Sequence, residues 1–222
     1  MNGVICIFAK VPRAGHVKTR LAKSLGDASA VALAEAFIED TVALATTIPS
    51  ASVVIAFDDA APAGWQSKGI ATTLQGDGDL GARLERVLGR ALADHPWAIA
   101  LGADSPGMPA TLVCSAVDAL VGCASPAAAL GPCRDGGFYL LGVSALAPGT
   151  LARVRWSTSS AHADTERALT DVGVPITRLD PWFDVDEIED LDHLRDLLRQ
   201  RQVTAPATAR ALEAIDGRTL DG

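Results

Sequence analysis

The stretch WAIALGADSPGMP, residues 97–109, is the one around which this 222-residue chain is organised. Five apolar residues end at Gly102, and the next charged side chain is Asp104. This pattern predicts a buried strand that delivers one carboxylate to a loop. In open α/β sheets, ligands bind just beyond the carboxyl ends of such strands. Asp104 is therefore a candidate to hold a metal ion or a ribose, although an Asp there can also simply hydrogen-bond its own turn.

Composition limits the partners and the domain count. Nineteen Lys and Arg against 27 Asp and Glu give a formal net charge of −8, which argues against nucleic acid or an anionic membrane as the main partner. The apolar runs are shorter than a membrane span and no Pro/Ser/Gly-rich linker divides the chain, and we expect no secretory leader. We expect a cytoplasmic protein with one domain over residues 1–200 and a loosely ordered tail over 201–222. An oligomer is compatible with the sequence.

A basic loop follows the first apolar run, which covers residues 3–9 and is typical of a buried strand. Gly15 bends this loop, and a helical pattern begins directly after it. Four basic side chains fall within eleven residues: Lys10, Arg13, Lys18 and Arg20. A basic, glycine-containing loop between a strand and a helix can bind phosphates, which we favour over a solvated turn with outward-facing cations.

A first glycine turn, QGDGDLG, covers residues 75–81 and opens a helix. Its spacing is that of the dinucleotide fingerprint G-x-G-x-x-G, which leaves an NAD(P)-dependent oxidoreductase as an alternative function. Asp77 and Asp79 argue against it, because they place negative charge where a pyrophosphate would bind. Equally, the turn could let the backbone at Gln75 and Gly76 approach a base or a sugar.

A second glycine turn, RDGG, covers residues 134–137 and precedes another apolar run. Paired glycines can make a hairpin. They can also let a ligand lie on the backbone at Gly136 and Gly137, within reach of Arg134 or Tyr139.

Ser105 lies in a stretch that approximates a hydrolase nucleophile elbow. In that elbow the residue after the nucleophile donates its N–H to the oxyanion, and here that residue is Pro106, which has none. We therefore expect Ser105 to brace the turn.

Two more carboxylates lie near the end of the domain, in FDVDEIED, residues 183–190. Asp186 and Glu189 have the spacing of a helix N-cap and its capping box. Asp184 has no such explanation. Because residues i and i+2 of an extended segment point to the same side, Asp184 and Asp186 could converge with Asp104 on a divalent ion.

The order of these motifs resembles the nucleotide-diphospho-sugar transferase (GT-A) superfamily. Within it, the chain is similar to the bacterial DUF2064 group, also called selenodomain-associated transferase 1, and more distantly to the phospholactate guanylyltransferases. The similarity extends from Val4 to about Leu198. The motifs that carry it are AKVPRAGHVKTRL at 9–21, GADSP at 102–106, RDGGFYL at 134–140, WST at 156–158, FDVD at 183–186 and EDL at 189–191.

The resemblance implies a single-domain, three-layer α/β/α sandwich with a mixed, mostly parallel, Rossmann-like sheet. It also implies that Lys10, Lys18 and Arg20 hold nucleotide phosphates, and that Asp104 is the main ligand of Mg²⁺ or Mn²⁺ with a second ligand from the segment of Asp184 and Asp186. The guanylyltransferases carry Thr-Asn after their paired glycines, where this chain has Phe-Tyr at 138–139. That difference argues against a phospholactate acceptor.

The function that we predict is metal-dependent nucleotidyl transfer from a nucleoside triphosphate to a small phosphorylated acceptor. A metal ion would neutralise the phosphates while Lys18 and Arg20 hold the leaving pyrophosphate, and a phosphate acceptor needs no strong general base. A glycosyltransferase with a nucleotide-sugar donor is the main alternative, and a non-catalytic nucleotide-binding protein is a further one. Either way we expect a nucleotide and a small-molecule acceptor as ligands.

Overall fold

The fold is described by a computed structural model, which covers residues 2–62, 64–65, 68–122 and 126–220, with side chains to residue 217. The strands are β1 (Gly3–Ala9), β2 (Ala51–Phe57), β3 (Ala71–Leu74), β4 (Ala98–Gly102), β5 (Ala128–Pro132), β6 (Phe138–Val143) and β7 (Ile176–Arg178). The helices are α1 (Thr19–Leu25), α2 (Asp27–Thr46), α3 (Leu80–Asp94), α4 (Ala110–Leu120), α5 (Ala161–Asp171), α6 (Ile188–Arg199) and α7 (Pro206–Leu220). Over these ranges, no helix combines the length and the apolar character needed to cross a bilayer.

All seven strands form one sheet in the order β3-β2-β1-β4-β6-β5-β7. β6 runs antiparallel to both of its neighbours, whereas every other adjacent pair is parallel. The carboxyl ends of six strands and the amino end of β6 therefore share one edge of the sheet. The predicted mixed, mostly parallel α/β sandwich is confirmed.

Helices cover both faces of this sheet because alternate strand residues point to opposite sides. On one face, Ile5 and Ile7 of β1 pack with apolar residues of α2 and α4. On the other, Val4 and Cys6 pack with α3 and α5. Because both faces are buried, the central strands are almost continuously apolar, as β4 is from Ala98 to Leu101.

The C-terminal segment differs from the expected loose tail, because residues 206–220 form α7 and pack along α2. The anchor is Asp40 of α2, which is 7% exposed. Its carboxylate accepts hydrogen bonds from the Ala207 N–H at 2.9 Å and the Thr208 N–H at 2.8 Å, and from the Thr208 hydroxyl at 2.6 Å. Local composition gives no sign of this contact, since Asp40 lies more than 160 residues earlier in the chain.

We expect the substitution Asp40→Ala to lower the free energy of unfolding by about 2–3 kcal/mol, because it leaves two N–H groups at the start of α7 without their acceptor. Chemical denaturation measures this loss. The control is Asp94→Ala at the exposed end of α3, which should change stability by less than about 0.5 kcal/mol. Equal stability of the two variants would contradict the anchoring role.

Candidate functional site

Asp104 lies just beyond the end of β4, as the sequence predicts, and its side chain is 59% exposed. The segment before α6 runs beside it, because the Val185 N–H donates a hydrogen bond of 2.9 Å to the Asp104 carbonyl oxygen. Val185 is fully buried, and the aspartates on either side of it are only partly buried. One backbone hydrogen bond therefore brings Asp184 and Asp186 to the loop that carries Asp104.

Lys18 lies at the centre of this arrangement. Its Nζ is 2.5 Å from Asp104 Oδ1 and 3.0 Å from Asp186 Oδ1, and its side chain is 5% exposed. Burial disfavours the charged ammonium, but the two carboxylates outweigh that effect and raise the pKa of Lys18. Burial also disfavours the charged form of Asp186, yet the Lys18 ammonium holds the pKa of that carboxyl below its usual value. Lys18 and Asp186 therefore remain charged together at neutral pH.

The rest of the basic loop divides into residues near this centre and residues away from it. Two aspartates that follow β2 bind the part of the basic loop between Val11 and His16. Asp58 accepts a hydrogen bond of 2.8 Å from the Val11 N–H and lies 2.7 Å from His16 Nε2. Asp59 forms an exposed ion pair of 2.9 Å with Arg13. Arg13 is therefore paired with Asp59, whereas Lys18 is paired with Asp104, and Gly15 is an exposed residue with a left-handed backbone of φ 72°.

The carboxylates before α6 correct one sequence expectation. The N-cap of α6 is Glu187, and its capping-box partner is Asp190, one residue later than the expected pair of Asp186 and Glu189. Asp186 donates its N–H to Asp190 at 3.1 Å, and its carboxylate is left for Lys18. The helix thus begins one residue later than the spacing predicted.

Asp184 takes a different direction from Asp186. Ser105, which is 4% exposed, donates its hydroxyl hydrogen to Asp184 Oδ1, so the bracing role expected of Ser105 is confirmed. Burial raises the pKa of Asp184, and its hydrogen bonds to Ser105 and Cys133 oppose that shift. Potential ligand atoms of Cys133, Asp135 and Asp184 lie within 4.8 Å of one another. Asp184 therefore belongs to a different cluster from Asp104 and Asp186.

Two hollows meet at these aspartates. The strand-end cleft has a volume of about 420 Å³ and includes Asp104 in its wall; other residues that line it are Lys10, Gln75, Arg83, Phe138 and Ser157. The acidic cavity has a volume of about 460 Å³ and includes Asp186; other residues that line it are Arg20, Arg134, Asp135, Asp184 and Glu187. The contact of Lys18 with both Asp104 and Asp186 places its ammonium at the boundary between the two hollows.

The first glycine turn is explained by packing within the protein. Gln75 is 5% exposed and donates its amide hydrogens to the carbonyl oxygens of Ala9 at 3.2 Å and Ala56 at 2.8 Å. A side chain at Gly81 would overlap the indole of Trp156, which leaves room only for glycine. Asp79 caps α3 through the Ala82 N–H at 2.9 Å.

The position of this turn in the sheet also corrects the dinucleotide interpretation. A dinucleotide fingerprint occupies the turn after a central strand, where the strand order reverses. The glycines at 76, 78 and 81 follow β3, the edge strand. Gly76 has a left-handed backbone with φ 79°, and the carbonyl oxygen of Gln75 before it accepts a hydrogen bond of 2.6 Å from Arg86. The structure therefore provides no support for an NAD(P) site here.

The second glycine turn is a hairpin between β5 and β6, closed by the Cys133 N–H and the Gly137 carbonyl oxygen at 3.0 Å. Gly136 has φ 88°, and a Cβ there would lie 2.1 Å from the Ser159 carbonyl oxygen. Tyr139 is 1% exposed and donates its hydroxyl hydrogen to the Asp180 carbonyl oxygen at 2.9 Å. The Tyr139 hydroxyl is thus not available to a ligand, and Gly136 is required by the packing of the turn.

Arg20 lines the acidic cavity, and three residues for which the sequence predicts no role line the strand-end cleft. Arg20 pairs with Glu187 at 3.1 Å on the acidic cavity, away from the strand-end cleft. Arg83, Phe138 and Ser157 line the strand-end cleft, although the sequence motifs do not predict them as site residues. Arg83 could have been found, since it lies four residues after the helix cap Asp79 and so on the first turn of α3. The other two depend on the contact of Trp156 with Phe138, at 6.1 Å between ring centroids, which no local pattern indicates.

The sheet order and the carboxylate-lined edge define the class of the protein, an α/β domain of the nucleotide-diphospho-sugar transferase (GT-A) type. The chain belongs to the family described as "Uncharacterized protein conserved in bacteria (DUF2064)", whose model matches residues 41–158. It is similar to a protein from Desulfovibrio desulfuricans G20 assigned to the nucleotide-diphospho-sugar transferases, with 27% identity, a TM-score of 0.83 and 97% coverage of both chains. The predicted family is thereby confirmed.

More distant structures share the fold. A nucleotidyl transferase from Methanothermobacter is 13% identical, with a TM-score of 0.59 over 90% of this chain and 100% of that one. Glucosyl-3-phosphoglycerate synthase from Mycobacterium tuberculosis, in a complex with Mn²⁺ and UDP, is 10% identical, with a TM-score of 0.52 over 97% and 80%. No curated protein is detectably similar to this chain in sequence. The similarity to phospholactate guanylyltransferases stays a prediction.

We expect Lys18→Met to destabilise the protein by about 1–2 kcal/mol at pH 7, because the Asp104 and Asp186 carboxylates, both partly exposed, lose the cation between them. The pKa of Asp186 is lowered in the folded protein, so its stabilising effect is present above its unfolded pKa and is lost as the pH falls through the folded pKa. The difference between variant and wild type should therefore shrink as the pH is lowered below about 4.

Denaturant unfolding at several pH values measures that difference. The control, Lys23→Met, makes the same substitution at an exposed position of α1, the helix that begins after Lys18. It should have little effect on stability at any pH. A penalty for Lys18→Met that does not depend on pH would show that the carboxylates do not stabilise Lys18 by charge.

Proposed function

We propose that this protein is a metal-dependent nucleotidyltransferase that transfers a nucleotide from a nucleoside triphosphate to a small phosphorylated acceptor and releases pyrophosphate. The observation that carries the proposal is the buried Lys18 between Asp104 and Asp186, at the boundary between a cleft of nucleotide size and a second cavity. The likeness to nucleotide-using transferases supports the class of reaction.

The two carboxylates that face Lys18 fit a divalent cation. They are hard oxygen ligands of the kind that Mg²⁺ and Mn²⁺ prefer, and their side chains are 59% and 50% exposed, so an ion can reach them. Asp104 and Asp186 would hold the metal, and Asp184, directed to Ser105, would position the segment. When bound, such an ion would neutralise phosphate charge and orient the phosphates.

Lys10 lines the strand-end cleft and Lys18 lies at its boundary, so both would supply positive charge to phosphates bound there. In the proposed reaction an acceptor oxygen forms a bond to the α-phosphorus, and the bond from that phosphorus to the bridging oxygen of the β-phosphate breaks. The leaving pyrophosphate gains negative charge. Lys18 would stabilise that charge, because its ammonium lies beside Asp104 at the edge of the cleft. Lys10 lines the same cleft and would bind the outer phosphates.

The acidic cavity is the proposed acceptor site. It adjoins the strand-end cleft through the contact of Lys18 with both Asp104 and Asp186, so an acceptor there can approach the α-phosphate. Arg20 and Arg134 would meet the acceptor's phosphate, which as an anion can attack without a general base. Arg134 lies with its guanidinium carbon 5.9 Å from the ring centre of Phe183, which holds it at the wall of the cavity.

The first test of this function is nucleotide binding by wild type and Asp104→Asn. We expect one nucleoside triphosphate to raise the melting temperature of wild type in the presence of Mn²⁺, and Asp104→Asn to lose at least tenfold in affinity for it, because the metal loses a charged ligand. Asp118→Asn, exposed on α4, is the matched control and should bind like wild type. Binding by Asp104→Asn that equals wild type, or that does not depend on Mn²⁺, would contradict the proposed site.

The second test separates nucleotidyl from glycosyl transfer by the leaving group. We expect incubation with nucleoside triphosphates, Mn²⁺ and a small-molecule extract of bacterial cells to release pyrophosphate, which ³¹P NMR detects. Parallel reactions with UDP-glucose or GDP-mannose and the same extract should release no nucleoside diphosphate. The opposite pattern would make the protein a glycosyltransferase.

A further inference from the structure

Ser157 is an exposed residue in the wall of the strand-end cleft, and its backbone adopts the left-handed conformation with φ 59°. Four non-glycine residues of the described chain have a positive φ, and two of them, Lys18 and Ser157, line hollows at the carboxyl edge of the sheet. A serine in this conformation costs free energy that a glycine would avoid. Strained backbone of this kind is concentrated at binding and catalytic sites.

The residues on either side hold Ser157 in this conformation. Arg155 forms a two-point ion pair with Asp164, which is 6% exposed, at 2.7 and 3.1 Å. The Thr158 hydroxyl donates to the Arg155 carbonyl oxygen at 2.8 Å and accepts from the Ser160 N–H at 3.2 Å, so a closed turn surrounds Ser157. These contacts fix the backbone on both sides of the strained residue.

Trp156 anchors the same segment to the wall of the cleft. Its ring meets Phe138 edge-on with 6.1 Å between ring centroids, and it occupies the space that a side chain at Gly81 would need. By contrast, the Ser157 hydroxyl has no hydrogen-bond partner among the residues that the structure describes. Among residues 155–158, Ser157 is the one that lines the cleft, and its hydroxyl can both donate and accept a hydrogen bond there.

We propose that Ser157 is a further ligand-binding residue, whose hydroxyl hydrogen-bonds the nucleotide in the strand-end cleft. The inference rests on the proposed function, because it needs a nucleotide in that cleft. It adds a contact from the segment of residues 155–158, which lies far in sequence from Lys10 and Asp104 and lines the cleft through Ser157. The strained backbone of Ser157 would then be retained because the bound nucleotide needs a side-chain hydroxyl at a place where the chain turns.

The experiment compares Ser157→Gly with Ser50→Gly. Both serines have φ 59° and are exposed, so both substitutions relieve the same backbone strain and remove the same hydroxyl. Ser50 lies in the turn before the amino end of β2, at the edge of the sheet opposite the clefts. Isothermal titration with the four nucleoside triphosphates and Mn²⁺ gives the affinity of each protein, and thermal unfolding gives its stability.

We expect Ser157→Gly to weaken binding of the nucleotide that wild type prefers by about five- to tenfold, the effect of one lost hydrogen bond. Its melting temperature should match that of Ser50→Gly, and Ser50→Gly should bind like wild type. Wild-type affinity in Ser157→Gly would overturn the inference and leave the proposed function intact, as would an equal loss in both variants. Wild type that binds none of the four nucleotides would overturn the proposed function itself, and the inference with it.

Discussion

The ion pairs that Lys18 forms with Asp104 and Asp186 are the interactions on which the site depends. A buried ammonium is stable only if opposite charges lie close to it, and two carboxylates at 2.5 and 3.0 Å meet that need. These three residues come from three distant segments: the loop after β1, the loop after β4 and the segment before α6. The cluster therefore joins the two ends of the domain at one edge of the sheet.

The topology of the sheet explains why this edge is the site. All strands except β6 end there, so the loops that follow β1, β3, β4 and β5 come together. The reversed β6 contributes its beginning instead, which places Phe138 beside the end of β4. Trp156 then packs against Phe138, which lines the strand-end cleft. The strand-end cleft and the acidic cavity are therefore formed by loops that already lie together at this edge of the sheet.

Sequence patterns predicted those features that depend on local order. The apolar run before Gly102 identified β4 and placed Asp104 at its end, and the order of motifs identified the family. The spacing of a capping box fits two overlapping pairs, Asp186 with Glu189 and Glu187 with Asp190. Only the register of α6 decides between them, so the sequence predicts the wrong pair. The position of Arg20 on the acidic cavity was likewise beyond prediction, since it follows from the long-range pair with Glu187.

Anomalous X-ray diffraction from crystals grown with Mn²⁺ and the nucleotide that binds would locate the metal directly. We expect a manganese peak in contact with both Asp104 and Asp186, beside the phosphates of a nucleotide in the strand-end cleft. A peak held by Cys133, Asp135 and Asp184 instead, or a nucleotide bound outside the cleft, would contradict that expectation.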